Sequence, residues 1–135
     1  MLDAPIARIE NLRVEFETRA GTVVGVEDVS FEIASGETVC VVGESGSGKS
    51  VSSLSLMRLI EFGGGTIAGG KLVFDRKEGG EIDLAEAEQS LMRTIRGNEI
   101  GMIFQEPMTA LNPVFTIGRQ LTEGLKVHRG MSSSE

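Results

Sequence analysis

The chain has 135 residues, 40% of them hydrophobic, which is enough to bury a core and makes a single globular domain over 1–135 the expectation. Its formal net charge of −7 excludes a protein built to coat nucleic acid, because no basic excess exists to neutralise phosphates. The one cysteine, Cys40, rules out an internal disulfide and suits a reducing compartment, and no apolar run is long enough to span a bilayer. With no signal peptide legible at the start, a cytoplasmic location is expected, any membrane association coming through a partner.

Taken in chain order, Leu12-Arg13-Val14-Glu15-Phe16 alternates with the period of a half-buried strand, and a turn follows at Ala20-Gly21. A β-rich run from Val23 to Val26 leads to a second alternating stretch, Val29-Ser30-Phe31-Glu32-Ile33, closed by a turn at Ser35-Gly36-Glu37. Three strands on short turns imply an N-terminal antiparallel layer. The pattern then changes: Thr38-Val39-Cys40-Val41-Val42 is continuously apolar, as in a strand buried on both faces, and Cys40 is expected to be inert core within it. After a glycine-rich loop the spacing becomes helical, with Val51, Leu54, Met57 and Ile60 on one stripe, until Gly63-Gly64-Gly65. Gly69 to Asp75 reads as a short strand before a Gly79-Gly80 turn, and Ala85 to Arg96 as a helix carrying Leu91 and Ile95 on one side. Ile100 to Phe104 returns to a strand pattern that runs into Gln105, and Glu106 to Pro113 reads as a loop. A final helix is capped by Thr116, with Ile117, Leu121 and Leu125 on the face expected to pack into a core. Ser132 to Glu135 reads as a cut end.

The loop between apolar strand and helix is Gly43-Glu44-Ser45-Gly46-Ser47-Gly48-Lys49-Ser50, which matches G-x-x-x-x-G-K-[ST] at every fixed position. Each part answers a physical need. Glycines let backbone N–H groups turn inward into a concave anion nest without Cβ clashes. The helix that follows presents unpaired N–H groups and about half a positive charge to the phosphates. Lys49 adds a mobile full charge for the β- and γ-phosphates, and the Ser50 hydroxyl stands where it can ligate Mg²⁺. A strand before the loop and a helix after it are the context that separates this motif from a chance match in a Gly/Ser-rich stretch.

A phosphate loop by itself is compatible with kinases, GTPases, helicases and transport ATPases. From Leu12 through Gln105 the order of features resembles the ABC ATPase family. Antiparallel strands precede the loop, Phe16 matches the aromatic whose ring stacks on adenine, and Gln105 matches the glutamine that joins the Mg²⁺ and attacking-water site to the transporter interface. Met102-Ile103-Phe104-Gln105-Glu106-Pro107-Met108-Thr109-Ala110-Leu111-Asn112-Pro113, together with Val29-Ser30-Phe31, is similar to the importer ATPases for dipeptides, oligopeptides, glutathione and nickel.

The resemblance implies an α/β fold: a partial P-loop NTPase core of mostly parallel strands with the N-terminal antiparallel β layer. It implies ATP and Mg²⁺ as ligands, with Gly43, Glu44, Ser45, Gly46, Ser47, Gly48, Lys49, Ser50, Val51 and Phe16 holding the nucleotide. Lys49 and Gln105 then serve catalysis, and Ser50 and Gln105 serve the metal. Implied partners are membrane-spanning permease subunits, a second ATPase domain in a head-to-tail dimer and, indirectly, a solute-binding protein, with no nucleic acid. The implied location is peripheral, on the cytoplasmic face of the inner membrane. Val51 stands where the family often has another hydroxyl residue, and Phe16 where many members have Tyr. The signature segment, the acidic strand with its catalytic glutamate and the switch histidine all lie later than Gln105 in the family, so negligible hydrolysis by this chain alone is expected. Rival readings are a binding-only module and a soluble ABC protein that does not transport.

Two residues invite misreading. Asp75 ends Leu72-Val73-Phe74-Asp75 like a metal-holding acidic strand, but in the family this stretch matches a peripheral antiparallel strand. His128 is the sole histidine and lies too close to Gln105 to be the switch histidine.

Overall fold

The structure is a computed structural model that describes residues 4–105 and 111–132. The chain divides into two compact units, Met1–Glu88 and Gln89–Glu135.

The first unit is built on two long strands, β1 (Pro5–Thr18) and β2 (Gly21–Ala34), followed by helix α1 (Lys49–Leu56), a 3-10 turn at Leu59–Gly63, and strands β3 (Gly65–Arg76) and β4 (Gly80–Asp83). All neighbours are antiparallel in the order β2-β1-β3-β4. The two β-rich runs read separately between Val23 and Ile33 are therefore one strand. The hairpin closes tightly: Thr18 Oγ1 donates to the Gly21 carbonyl at 2.6 Å and accepts from the Ala20 amide at 3.2 Å.

The sheet is bent along one line, and that bend decides its core. Ile9, Leu12 and Val14 are all buried, yet strict alternation from Ile9 would send Leu12 to the opposite face. A register shift between Ile9 and Leu12 resolves the conflict by inserting an extra residue. Asn11 takes the left-handed conformation there (φ 48°), as does Asp28 (φ 53°) on β2; Asn and Asp tolerate it best among residues with a Cβ. The two are tied by Asn11 Nδ2 donating to Asp28 Oδ1 at 2.7 Å, and the Asn11 amide donates to Ser30 Oγ at 2.8 Å. On β3, Gly70 (φ 89°) lies so close that an added Cβ would meet the Glu10 carbonyl oxygen at 2.4 Å.

With the register reset, Ile9, Leu12, Val14, Val26, Leu72 and Phe74 are buried in this unit, as are Met57, Ile60 and Leu84. Each such side chain stabilises the fold by about 1.5–3 kcal/mol relative to exposure. The intervening residues of β1 carry ion pairs: Arg8 to Glu10 and Glu81 at 3.2 and 2.7 Å, and Arg13 to Glu15 and Glu27 at 2.7 and 2.5 Å.

Asp75 is exposed in β3 opposite Glu81; the strand is antiparallel, as anticipated, but it is an interior strand and β4 forms the edge. The helix expected from Ala85 begins only at Gln89 as α2 (Gln89–Ile95). Asp83 Oδ1 accepts from the amides of Leu72 and Ala85 at 3.1 and 3.0 Å, and so holds the chain in a turn where a helix would start.

Two expected strands are absent from the structure. Thr38 to Val42 has no ladder partner, with Cys40 and Val41 exposed and Val42 84% exposed, so Cys40 is not core. Gly101 to Phe104 is likewise irregular, and Ile100 makes only an isolated parallel bridge to Arg96. A strand buried on both faces requires flanking strands and covering helices, and among the described residues the sole sheet is the antiparallel one.

In the second unit, α2 buries Met92 and Ile95 and ends at Gly97 (φ 79°). Helix α3 (Ile117–Arg129) starts as anticipated, with the Thr116 side chain accepting from the Arg119 amide at 3.3 Å, and ends at Gly130 in the left-handed region. Gln120 fastens the preceding loop, donating to the carbonyls of Asn112 and Phe115 at 3.0 and 2.9 Å. The apolar stripe of α3 is not core: Ile117, Leu121 and Leu125 are exposed. Glu106 to Ala110, the middle of the importer-like run, and the end of the chain from Ser133 lie outside the described residues.

Candidate functional site

Gly43 to Ser50 forms a compact loop entering α1. The Ser47 amide donates to the Glu44 carbonyl at 3.2 Å, which folds the loop back on itself. Gly46 (φ 85°) and Gly48 (φ 86°) are left-handed, as an anion nest requires. Space also demands glycine. A Cβ on Gly43 would meet Ser47 Oγ at 2.6 Å, and one on Gly48 would lie 2.9 Å from both the Gly25 carbonyl oxygen and Val26 Cγ2. The loop is thus pressed against β2 at Gly25-Val26.

Gly48 is the N-cap of α1 and offers no side chain. The first intrahelical bond is Ser52 N–H to the Gly48 carbonyl at 2.8 Å, so the amides of Lys49, Ser50 and Val51 precede the helical ladder. They form the positive end of the helix dipole, with nothing acidic in the first turn to offset it. Ser52, Ser53 and Ser55 return their hydroxyls to carbonyls one turn back, at 3.1, 3.1 and 2.7 Å. Because Ser52 and Ser55 are buried, α1 seats itself on a hydroxyl-lined face, where the apolar stripe of Val51 and Leu54 is only half-buried.

Lys49 folds back over its own loop. Its Nζ donates to the carbonyls of Gly43 (2.8 Å) and Glu44 (2.5 Å) and to Ser47 Oγ (3.1 Å), so its charge sits at the loop's concavity. A phosphate carries a full negative charge that the carbonyls lack, so an arriving phosphate oxygen can draw these ammonium donors from them. Glu44, Ser45 and Ser50 are exposed, leaving the Ser50 hydroxyl accessible at the helix start.

The Phe16 ring is half-buried near the end of β1. A Cβ on Gly25 would lie 2.6 Å from Phe16 Cε2 and 3.7 Å from Val51 Cγ1, so Phe16 and Val51 flank the Gly25 backbone. The fold therefore gathers Phe16, Gly25, Gly48 and Val51 at the loop's helical end. Gly25 was not singled out from the sequence, although a lone glycine inside the β-branched run Val23-Val24-Gly25-Val26 is the signal of a bulge or a close backbone approach. Gln105 belongs to the second unit, where it is exposed in a bend. Among the described residues no three His, Cys, Asp or Glu side chains gather as a metal site, and no helix is long and apolar enough to cross a membrane.

The chain is 56% identical over 131 residues to a Brucella abortus protein provisionally named a peptide import ATP-binding protein, a match covering 97% of this chain. It is 48% identical over 126 residues, or 93% of its length, to the glutathione import ATP-binding protein GsiA of Pectobacterium atrosepticum, and 44% identical over 130 residues to GsiA of Escherichia coli K12. The chain spans 39% of the length of the Brucella relative and 20% of the Pectobacterium one. The family described as ABC transporter matches residues 26–134, which takes in the whole phosphate loop, and the chain belongs to that family.

Proposed function

We propose that this chain is the nucleotide-gripping part of an ABC importer ATPase, binding ATP with Mg²⁺. The carrying observation is the loop itself: Lys49 Nζ held by Gly43, Glu44 and Ser47, beside the unladdered amides that open α1. Amides of the nest and the helix start orient the phosphate chain, and Lys49 neutralises charge on its β and γ groups. Phe16 stacks on the adenine ring. Magnesium takes most of its ligands from phosphates and water, so a single protein hydroxyl at the helix start, Ser50, fits it. When bound, the ion offsets the charge on the phosphates, and Ser50 anchors it to α1.

In the intact protein we assign Lys49 and Gln105 to hydrolysis, Lys49 as the phosphate-neutralising charge and Gln105 as a residue that would serve Mg²⁺ and the attacking water. That hydrolysis drives import of a peptide or similar small solute, which agrees with the names of the relatives. The partners are then permease subunits, a second ATPase domain and, indirectly, a solute-binding protein, and the location is the cytoplasmic face of the membrane.

Calorimetric titration with ATP and Mg²⁺ tests the grip. Saturable binding that weakens by about tenfold or more in Lys49→Ala is expected, equivalent to about 1.4 kcal/mol. No binding by a folded chain would overturn the reading. The irregular backbone before Gln105 favours binding without turnover by the 135-residue chain alone. Hydrolysis at the rate of an intact transporter ATPase, abolished by Lys49→Ala, would contradict that.

A further inference from the structure

Neither Gly25 nor Gly65 has a positive φ, so neither needs to be glycine for its backbone conformation. Space is what both provide. Gly65 is the cross-strand partner of Phe16 on β3, and a Cβ there would lie 2.7 Å from Phe16 Cε1 and 3.0 Å from Cζ. Gly25 is the unpaired residue of a bulge, lying between the pairs Val14↔Val26 and Glu15↔Val24 on the other side of β1, and its missing Cβ would meet Cε2 at 2.6 Å. The Phe16 ring thus fills the volume of two absent side chains, one on each neighbouring strand.

We propose that Gly25 and Gly65 are positioning residues that set the Phe16 ring where a nucleotide base stacks. The inference rests on the reading that Phe16 is the base platform.

A methyl group at either position forces something to move, and the ring is what yields. The Gly25 backbone is flanked by ladder pairs and pressed on the Gly48 side of the phosphate loop, and Gly65 lies in register between Phe16 and the Ile60 carbonyl. Phe16 is only half-buried, which leaves its ring freer to move than the paired backbone around it. Stacking does not survive such a shift intact, because a radial gap of about 0.5–1 Å already forfeits a quarter to a half of a dispersion contact. The phosphate loop makes its contacts through backbone and Lys49, so the base end and the phosphate end of the site are separable.

The experiment compares ATP with inorganic tripolyphosphate, each with Mg²⁺, on the 135-residue chain and its variants. Phe16→Ala is expected to weaken ATP by at least about fivefold, the low end for loss of one base–aromatic stack, and to leave tripolyphosphate unchanged. Gly25→Ala and Gly65→Ala are expected to weaken ATP by about three- to tenfold, again with tripolyphosphate retained. In the Phe16→Ala background neither should weaken ATP further.

Equal losses for both ligands, losses that add to that of Phe16→Ala, or no loss at all would overturn the positioning role. An unchanged ATP affinity in Phe16→Ala alone would instead refute the stacking platform, leaving the phosphate grip untouched. Should Gly25→Ala fail to fold, refolding of the Phe16→Ala/Gly25→Ala pair supports the ring contact as the cause, and failure of the pair overturns it.

Discussion

The strands of the antiparallel sheet and two apolar runs outside it, Thr38 to Val42 and Ile100 to Phe104, read equally well as strands, yet only the sheet forms. β1–β2 and β3–β4 are hairpins on short turns, β3 joins β1 after the long segment that carries the phosphate loop and α1, and together the strands bury Leu12, Val14 and Leu72 completely. The two runs leave Val42 at 84% and Ile103 at 98% exposure. An antiparallel hairpin supplies its own partner within a few residues, whereas a strand buried on both faces depends on distant neighbours and crossover helices. Hydrophobicity states that a segment wants cover; it does not supply the cover.

The sharpest way to break this comparison is to empty the sheet's core. Leu12→Ala removes a fully buried side chain and should cost about 2–5 kcal/mol by chemical denaturation. Val42→Ala, at an exposed position, should stay within about 0.5 kcal/mol. A comparable loss in both would mean that the apolar run is packed after all.

Next comes the bend. Gly70→Ala places a Cβ against the Glu10 carbonyl in a left-handed backbone, and a destabilisation of about 1–3 kcal/mol is expected. A neutral result would show that the sheet does not need the bend to bury both Ile9 and Leu12.

Smallest is the Arg8–Glu81 pair, which closes the strand edge on the solvated side. Its hydrogen bond to Arg8 holds the Glu81 carboxyl below its ordinary value. Stability from a lowered carboxylate is complete above its unfolded value of about 4.3 and fades as pH falls through the lower folded one. Glu81→Gln should therefore lose a little stability near neutrality and none at acid pH, which flattens the acid limb of the stability profile. An equal loss at acid pH, where the carboxyl is protonated in both states, would assign the effect to packing.

What was legible in the sequence follows the same division. The loop Gly43 to Ser50 was readable because its chemistry is local: glycine backbone, a helix start and one lysine. Thr116 capping α3 was readable for the same reason. The bend uniting Asn11, Asp28 and Gly70 was not, since its three residues meet only once the strands are paired. Nor was the exposure of Ile117, Leu121 and Leu125, because a stripe at helical spacing looks the same whether covered or bare. Placing Phe16 beside the loop came from family likeness, and Gly25 and Gly65 emerged only from the volume that its ring occupies.

Hydrogen exchange with and without saturating Mg-ATP is the most direct test that the sheet carries a working phosphate grip. Slowed exchange confined to Gly43 to Val51, over a β1 to β3 ladder already protected without nucleotide, is the predicted result. Unchanged exchange across that loop, with ATP demonstrably bound, would contradict the account.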